Sequence, residues 1–420
     1  MDYIVINGQK PLNGTVNISG AKNAAVAILP AAIASNGICV IDNLPQIEDV
    51  TTLITAMESF GAQCTLTAPD TLVVDARGVN SWTLDDKLAK NMRASYYFMG
   101  ALLGKFKEAV VPLPGGCDFG SRPIDYHLKG FIALGATCVQ EHGAVKIKAD
   151  KLRGANIYLD CPSVGATINI MIAAVFAEGT TIIENAAKEP HVVDTANFLN
   201  KLGAKIGGAG TNTIRITGVS ALGGGEYTVI PDPIETGTYM IAAAITGGDV
   251  TVENIIPKHM DSVTAKLREM GCAITEGGDW IRIQSDSTLR PCEIKTAYYP
   301  GFPTDLQPQM ATLLCRANGT STITENIFEQ RFRYIGELKR LGAQLKVEGR
   351  MAVTEGDCEF TGTRVIASDL RAGAALVIAG LCAKGETIIG GVHHLDRGYE
   401  KFEEKFRTLG ADIKRIQRDG

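Results

Sequence analysis

Polar and apolar positions along the chain fall into two kinds of helical pattern, separated by short β-branched runs. Six segments are apolar on every face and rich in small residues: 24–34 (AAVAILPAAIA), 93–104 (RASYYFMGALLG), 167–177 (TINIMIAAVFA), 238–245 (TYMIAAAI), 309–315 (QMATLLC) and 372–383 (AGAALVIAGLCA). A helix without a polar face has to be covered on all sides. Runs such as 38–42 (ICVID), 180–185 (TTIIEN), 249–254 (DVTVEN), 321–326 (STITEN) and 386–391 (ETIIGG) follow them and predict strands. Helices with one wet face come next, over 50–62, 192–204, 261–272, 334–343 and 399–411.

A tripeptide of large apolar residue, glycine and small residue recurs six times. It begins at Phe60, Leu134, Leu202, Met270, Leu341 and Leu409, at intervals of 68–74 residues. Its glycine predicts a left-handed cap at the end of each amphipathic helix. Six similar units therefore fill the 420 residues, a length that calls for two cores rather than one. The expected fold class is α/β with three units per domain and helices enclosed by sheets, the reverse of a doubly wound arrangement.

Composition narrows the function. A 45% hydrophobic, 21% charged chain with net charge −5 reads as globular, without the basic surplus of a general nucleic-acid binder. No apolar run approaches membrane-spanning length, and MDYIVINGQK shows no leader pattern, so a soluble, cytoplasmic protein is expected. Ten cysteines include no CxxC pair, and neither GxGxxG nor a Walker pattern occurs, so no metal and no cofactor is expected. His393-His394 with Asp396 is too sparse for a metal centre, since adjacent histidines on a turn need a third ligand.

Charged and capping residues cluster at helix starts. Lys22-Asn23, Arg93, Ser163, Glu235, Asp305 and Arg371 stand at the apolar helices; Arg122, Lys188-Glu189, Lys258, Arg331 and Arg397 stand before the amphipathic ones. Equivalent positions of a symmetric array surround a common centre, so these groups are expected to converge between the domains on a multiply anionic substrate. The alternative for each alone is a solvated surface charge. The segment 110–127 (VVPLPGGCDFGSRPIDYH) sets Cys117 in a glycine-flanked polar loop, with Arg122 near enough to lower its pKa and bind an anion. Cys39, Cys138, Cys315 and Cys382 read as small buried hydrophobes. His127 reads as a contact in the substrate loop rather than a base.

SGAKNAA (19–25), NMRAS (91–95), PGGCDFGSRPID (114–125), SVGAT (163–167), ENAAKEPHVVDTANFL (184–199), FPTDLQPQ (302–309), LRAG (370–373) and DRGYE (396–400) resemble the UDP-N-acetylglucosamine 1-carboxyvinyltransferase family from end to end. The resemblance implies the inside-out α/β barrel, a two-domain enolpyruvyl transferase prism of six βαβαββ repeats. One domain would join residues 1–20 to 230–420; the other would be 21–229. It also implies transfer of the enolpyruvyl group of phosphoenolpyruvate to the 3′-hydroxyl of UDP-N-acetylglucosamine, the first committed step of peptidoglycan precursor synthesis. Lys22 and Asn23 would contact phosphoenolpyruvate, with Arg122 and Arg397 on its phosphate and Arg371 on its carboxylate. Arg93, Arg122, Pro123, Ile124, Asp125, Tyr126, Ser163, Val164, Gly165, Asp305 and Ile327 match positions at or beside the UDP-sugar. Cys117 matches the general acid that also forms a covalent adduct, and Asp305 the residue that takes the sugar hydroxyl proton. Lys22 and Arg397 complete the expected catalytic set.

Two departures from the family pattern stand out: Glu48 where some members carry Lys, and Phe119 in place of a smaller aliphatic residue. The sequence names no protein partner, nucleic acid or membrane. Rival readings are the shikimate-pathway enolpyruvyl transferase, which lacks the PGGC loop, and a silent UDP-sugar-binding paralogue, which would need no acid or base. A repeat scaffold would not call for cations at helix starts.

Overall fold

The computed structural model describes residues 2–90, 93–113, 124–286 and 288–417. The chain forms two compact units, one continuous (Gly20–Ile230) and one split (Met1–Ser19 with Pro231–Gly420). Each has its own apolar core.

The apolar segments are buried helices. In the continuous unit they are Lys22–Ala32, Tyr97–Phe106 and Val164–Ala174; in the split unit, Pro233–Thr246, Gln307–Leu314 and Leu370–Cys382. Ala24 to Ala32 are all buried, as are Ala372 to Leu381. Several begin earlier than apolar periodicity suggests, because capping chemistry extends them. The Asp232 carboxylate accepts from Ile234 and Glu235 N–H at 2.7 and 3.1 Å, with Pro233 in the first turn. Asp369 does the same for Arg371 and Ala372 at 2.9 and 3.0 Å. Residues 93–96 form a separate 3₁₀ turn before the second helix, a common way for a helix to begin.

Six small sheets are present among the described residues. Five share one plan. A central strand pairs in parallel with a short edge strand and antiparallel with the nearer of two antiparallel strands, which form a hairpin in four of the five. In the sixth, Glu108–Pro112 pairs with the hairpin 137–148, and the parallel neighbour shrinks to a bridge between Thr83 and Val110. The last repeat lacks its own final strand. Asp2–Asn7 fills that place between Glu386–Gly390 and Asp412–Gln417, pairing antiparallel with both. This substitution is why the split unit needs the N-terminus. Strands of the sheets lie against the buried helices, so the enclosed-helix plan holds within each unit.

The repeated tripeptide behaves as predicted. Gly61, Gly135, Gly203, Gly271, Gly342 and Gly410 all have φ between 90° and 107°. The small residue after each sends its N–H five residues back, as in Ala62 to Met57, Ala204 to Leu199 and Ala411 to Phe406, at 3.0–3.2 Å. That bond defines a Schellman end, which needs a residue without Cβ strain at the glycine.

Gly203→Ala meets open space, so it should cost only the backbone strain of about 1–2 kcal/mol. Gly342→Ala should cost more, because its Cβ would lie 2.7 Å from the Glu359 carbonyl oxygen. Thermal melting of the two variants checks the order: the Gly342 variant should lose more stability.

Candidate active site

In the split unit, charge gathers at the starts of buried helices. Asp305 lies in the 3₁₀ turn Thr304–Leu306, which leads into Gln307–Leu314. Arg371 is the second residue of Leu370–Cys382, and Arg331 opens the 3₁₀ turn Arg331–Tyr334. The Arg331 guanidinium meets one carboxylate oxygen of Asp305 at 2.8 Å, and Arg371 meets the other at 2.9 Å. Both arginines are buried, while Asp305 keeps a quarter of its side chain exposed. Burial alone would raise the Asp305 carboxyl, but Arg371 and Arg331 outweigh it and hold it far below the usual carboxylate range. Arg371 also sits 5.6 Å from the Tyr399 ring centroid, and the Tyr399 hydroxyl is 2.9 Å from that of Thr238. Arg397, half-buried, follows the short helix His393–Asp396 two residues before Tyr399.

Ile327 is half-buried beyond the strand Ser321–Thr324, its N–H donating to the Glu325 carboxylate at 2.8 Å. Asp396 is held by Arg415 at 2.6 and 3.0 Å. No group of three metal-ligating side chains occurs among the described residues.

The continuous unit carries a second set. Lys22 opens its helix, and its ammonium lies 2.9 Å from the nearly buried Asp49 carboxylate, in the first turn of Glu48–Ser59. Asn23 is the next residue, half-buried. Ser163 caps Val164–Ala174, its hydroxyl accepting from Ala166 N–H at 3.3 Å. Val164 and Gly165 make up that helix start and are half-buried. Ile124 and Asp125 begin the helix Asp125–Ala133. The Cys161 thiol beside the Tyr126 hydroxyl raises the phenol pKa.

His127 differs from its expected place. It is buried, with an edge-on contact to Tyr96 at 5.1 Å, and burial pushes its pKa down to about 4. Asn169 spends its carbonyl oxygen on Gly100 N–H at 2.7 Å, so its amide donates to His127 Nδ1 at 2.9 Å. The neutral ring then carries its proton on Nε2, facing Gly165. A ring so enclosed packs against the helix start at Gly165.

Cys117, Arg122 and Pro123 lie outside the described residues, as does the side chain of Arg93. Among the described cysteines, burial raises the thiol pKa of Cys39, Cys138 (to about 11) and Cys382 (to about 12). Cys315 is also raised, chiefly by its neighbour Cys358. Cys358 is the exception: the neighbouring Cys315 and the Gln344 N–H, which donates to its sulfur at 3.3 Å, bring it down to about 6, though it is buried.

The EPSP synthase (3-phosphoshikimate 1-carboxyvinyltransferase) family model matches residues 6–406. UDP-N-acetylglucosamine 1-carboxyvinyltransferase 3 of Caldanaerobacter subterraneus is 57% identical, over 99% of this chain and all of its own. The Clostridium botulinum UDP-N-acetylglucosamine 1-carboxyvinyltransferase is 56% identical over the same shares. The chain belongs to the UDP-N-acetylglucosamine 1-carboxyvinyltransferase family. The enolpyruvyl transferase NikO from Streptomyces tendae superposes with a TM-score of 0.90 at 28% identity, covering 100% of this chain and 99% of NikO. EPSP synthase from Acinetobacter baumannii shares the fold, with a TM-score of 0.76 at 20% identity, covering 99% of this chain and all of its own. The fold is therefore the enolpyruvyl transferase fold.

Three groups that pair with these residues carry no distinct mark in the sequence. Arg331 stands among the helix-start charges, and its spacing gives no sign of its pairing with Asp305. Asp49, partner of Lys22, carries no signal beyond an acid in a helix first turn. Glu325 is hidden inside a strand motif.

The clamp predicts a pH effect. A carboxylate depressed by two cations contributes stability above the unfolded carboxyl pKa of about 4 and loses it as pH falls below that value. Arg331→Ala removes one charged hydrogen bond, a contribution of about 1.5–3 kcal/mol. Stability should drop at pH 7, and its acid-side fall between about pH 4 and 2 should shrink. Urea denaturation across that pH range measures both.

Proposed function

We propose that this chain transfers the enolpyruvyl group of phosphoenolpyruvate to the 3′-hydroxyl of UDP-N-acetylglucosamine and releases phosphate, in the synthesis of peptidoglycan precursors. The observation that carries the chemistry is the carboxylate of Asp305 held between Arg331 and Arg371 at the opening of a buried helix. Full-length identity of 56–57% to two transferases of that name supports the choice of acceptor.

The double bond of phosphoenolpyruvate is electron-rich, so its methylene carbon takes a proton as the sugar oxygen bonds to the neighbouring carbon. An acid and a base are needed together. Cys117 supplies the proton and Asp305 receives the one leaving the 3′-hydroxyl. Loss of a methyl proton and of phosphate from the tetrahedral adduct then gives the enol ether. Lys22 and Asn23 hold phosphoenolpyruvate, with Arg122 and Arg397 on its phosphate; fixed cations of this kind stabilise charge developing on the leaving group. Arg93, Arg122 to Tyr126, Ser163 to Gly165 and Ile327 hold the UDP-sugar.

A carboxylate pinned by two guanidiniums is a weak base. Arg371 is also the group assigned to the phosphoenolpyruvate carboxylate, so donor binding draws it away from Asp305. Asp305 then keeps one guanidinium and becomes more basic as the substrates assemble. A cytoplasmic location goes with this reading, since both substrates are cytoplasmic metabolites. No described helix is long and apolar enough to cross a membrane.

Asp305→Asn should lower kcat by about 100-fold or more, the scale of a lost general base, with the variant still melting cooperatively. Cys117→Ser should abolish turnover while UDP-N-acetylglucosamine binding, measured by calorimetry, persists. Near-normal turnover in either variant removes that residue from the mechanism.

A further inference from the structure

The repeats can be superposed by one hydrogen bond. At the end of five central strands, a backbone N–H donates to the carbonyl of the residue just before the second hairpin strand. The pairs are Leu44 to Asp70 at 2.8 Å, Leu113 to Gly143 at 2.8 Å, Ala186 to Asn212 at 3.0 Å, Ile255 to Asp279 at 3.0 Å and Glu325 to Arg350 at 2.8 Å. Four of these positions carry apolar side chains that pack into or against the cores. The fifth carries a glutamate, and it is wholly buried.

Burying a carboxylate is unfavourable unless hydrogen bonds replace its water. Here they do. One oxygen of Glu325 accepts from the N–H groups of Ile327 at 2.8 Å and Phe328 at 3.0 Å; the other accepts from the Thr304 hydroxyl at 3.0 Å. Thr304 opens the turn that carries Asp305. The Phe328 ring lies 5.6 Å from the guanidinium of Arg331, which in turn holds Asp305. One buried side chain thus reaches Asp305 along two routes, through its own turn and through its clamping arginine, and also holds the Ile327 backbone.

We infer that Glu325 is a positioning residue for enolpyruvyl transfer, fixing Asp305 and Ile327 in one geometry for the UDP-sugar. The inference rests on the proposed roles of Asp305 and Ile327. It explains why one repeat replaces an apolar side chain with a buried acid: a Leu or Ile there fills space but cannot tie the 325–328 loop to the 304–306 turn.

Symmetry supplies the test variant. Glu325→Leu installs the kind of side chain that equivalent positions already carry, and Glu325→Gln keeps an oxygen for the two N–H groups and an amide for the Thr304 hydroxyl. Steady-state phosphate release on the full chain should show kcat/KM for UDP-N-acetylglucosamine falling about 100-fold in E325L, the scale of a misplacement near 1 Å. The KM for UDP-N-acetylglucosamine should rise several times more than that for phosphoenolpyruvate. E325Q should recover most of the loss. Kinetics of E325L within twofold of wild type would overturn the inference, as would an equal rise in both KM values or no rescue by E325Q. Loss of cooperative melting in E325L would make Glu325 a folding residue and overturn it too. If Asp305→Asn keeps full turnover, the reading beneath the inference fails; an inactive D305N beside an unaffected E325L removes the inference alone.

Discussion

A helix that is apolar on every side has nowhere to carry a polar group except at its ends. Here six such helices are buried among sheets, and the chemistry follows from that constraint. Lys22, Ser163, Glu235 and Arg371 all occupy a cap or first turn of a buried helix, and Asp305 lies in the turn just before one. At those points backbone N–H groups have no partner within the helix, and the peptide dipoles favour negative charge. The apolar body fixes these ends rigidly, so the charged groups on them are held in place.

Placing charge at the edge of an apolar interior has a cost, and neighbouring side chains offset it. Asp305 is balanced by Arg331 and Arg371, Lys22 by Asp49 at 2.9 Å, and Glu235 by Lys405 at 2.6 Å. Burial still pushes the Glu235 carboxyl up to about 7 despite its lysine. That pair also binds the chain where it leaves the split unit: Ser19 donates its N–H to Glu235 at 2.9 Å, and Lys405 reaches the Ser19 hydroxyl at 2.7 Å. Removing one member of such a pair leaves its partner buried and uncompensated. Structural and chemical demands on these residues therefore overlap.

The repeat was legible because its signals are local. All-round apolarity marks a buried helix, and a large residue, glycine and small residue mark a Schellman end, with φ near 100° at all six glycines. Helix-start charges were legible as a set, because repeat equivalence singles them out. Pairing was not. That Arg331 and Arg371 grip opposite oxygens of Asp305 depends on how separate repeats pack, which no spacing encodes. The burial of His127 was not legible either, because its loop-side position in sequence says nothing of Asn169, 42 residues away, to which it hydrogen-bonds. Glu325 escaped notice because the run STITEN looks like TTIIEN and DVTVEN, yet its acid falls on an apolar position of the repeat.

Acceptor choice tests the account most directly. Phosphate release from phosphoenolpyruvate by the purified chain should require UDP-N-acetylglucosamine and stay at background with shikimate 3-phosphate. Turnover with shikimate 3-phosphate alone, or none with either acceptor in the folded protein, would contradict it.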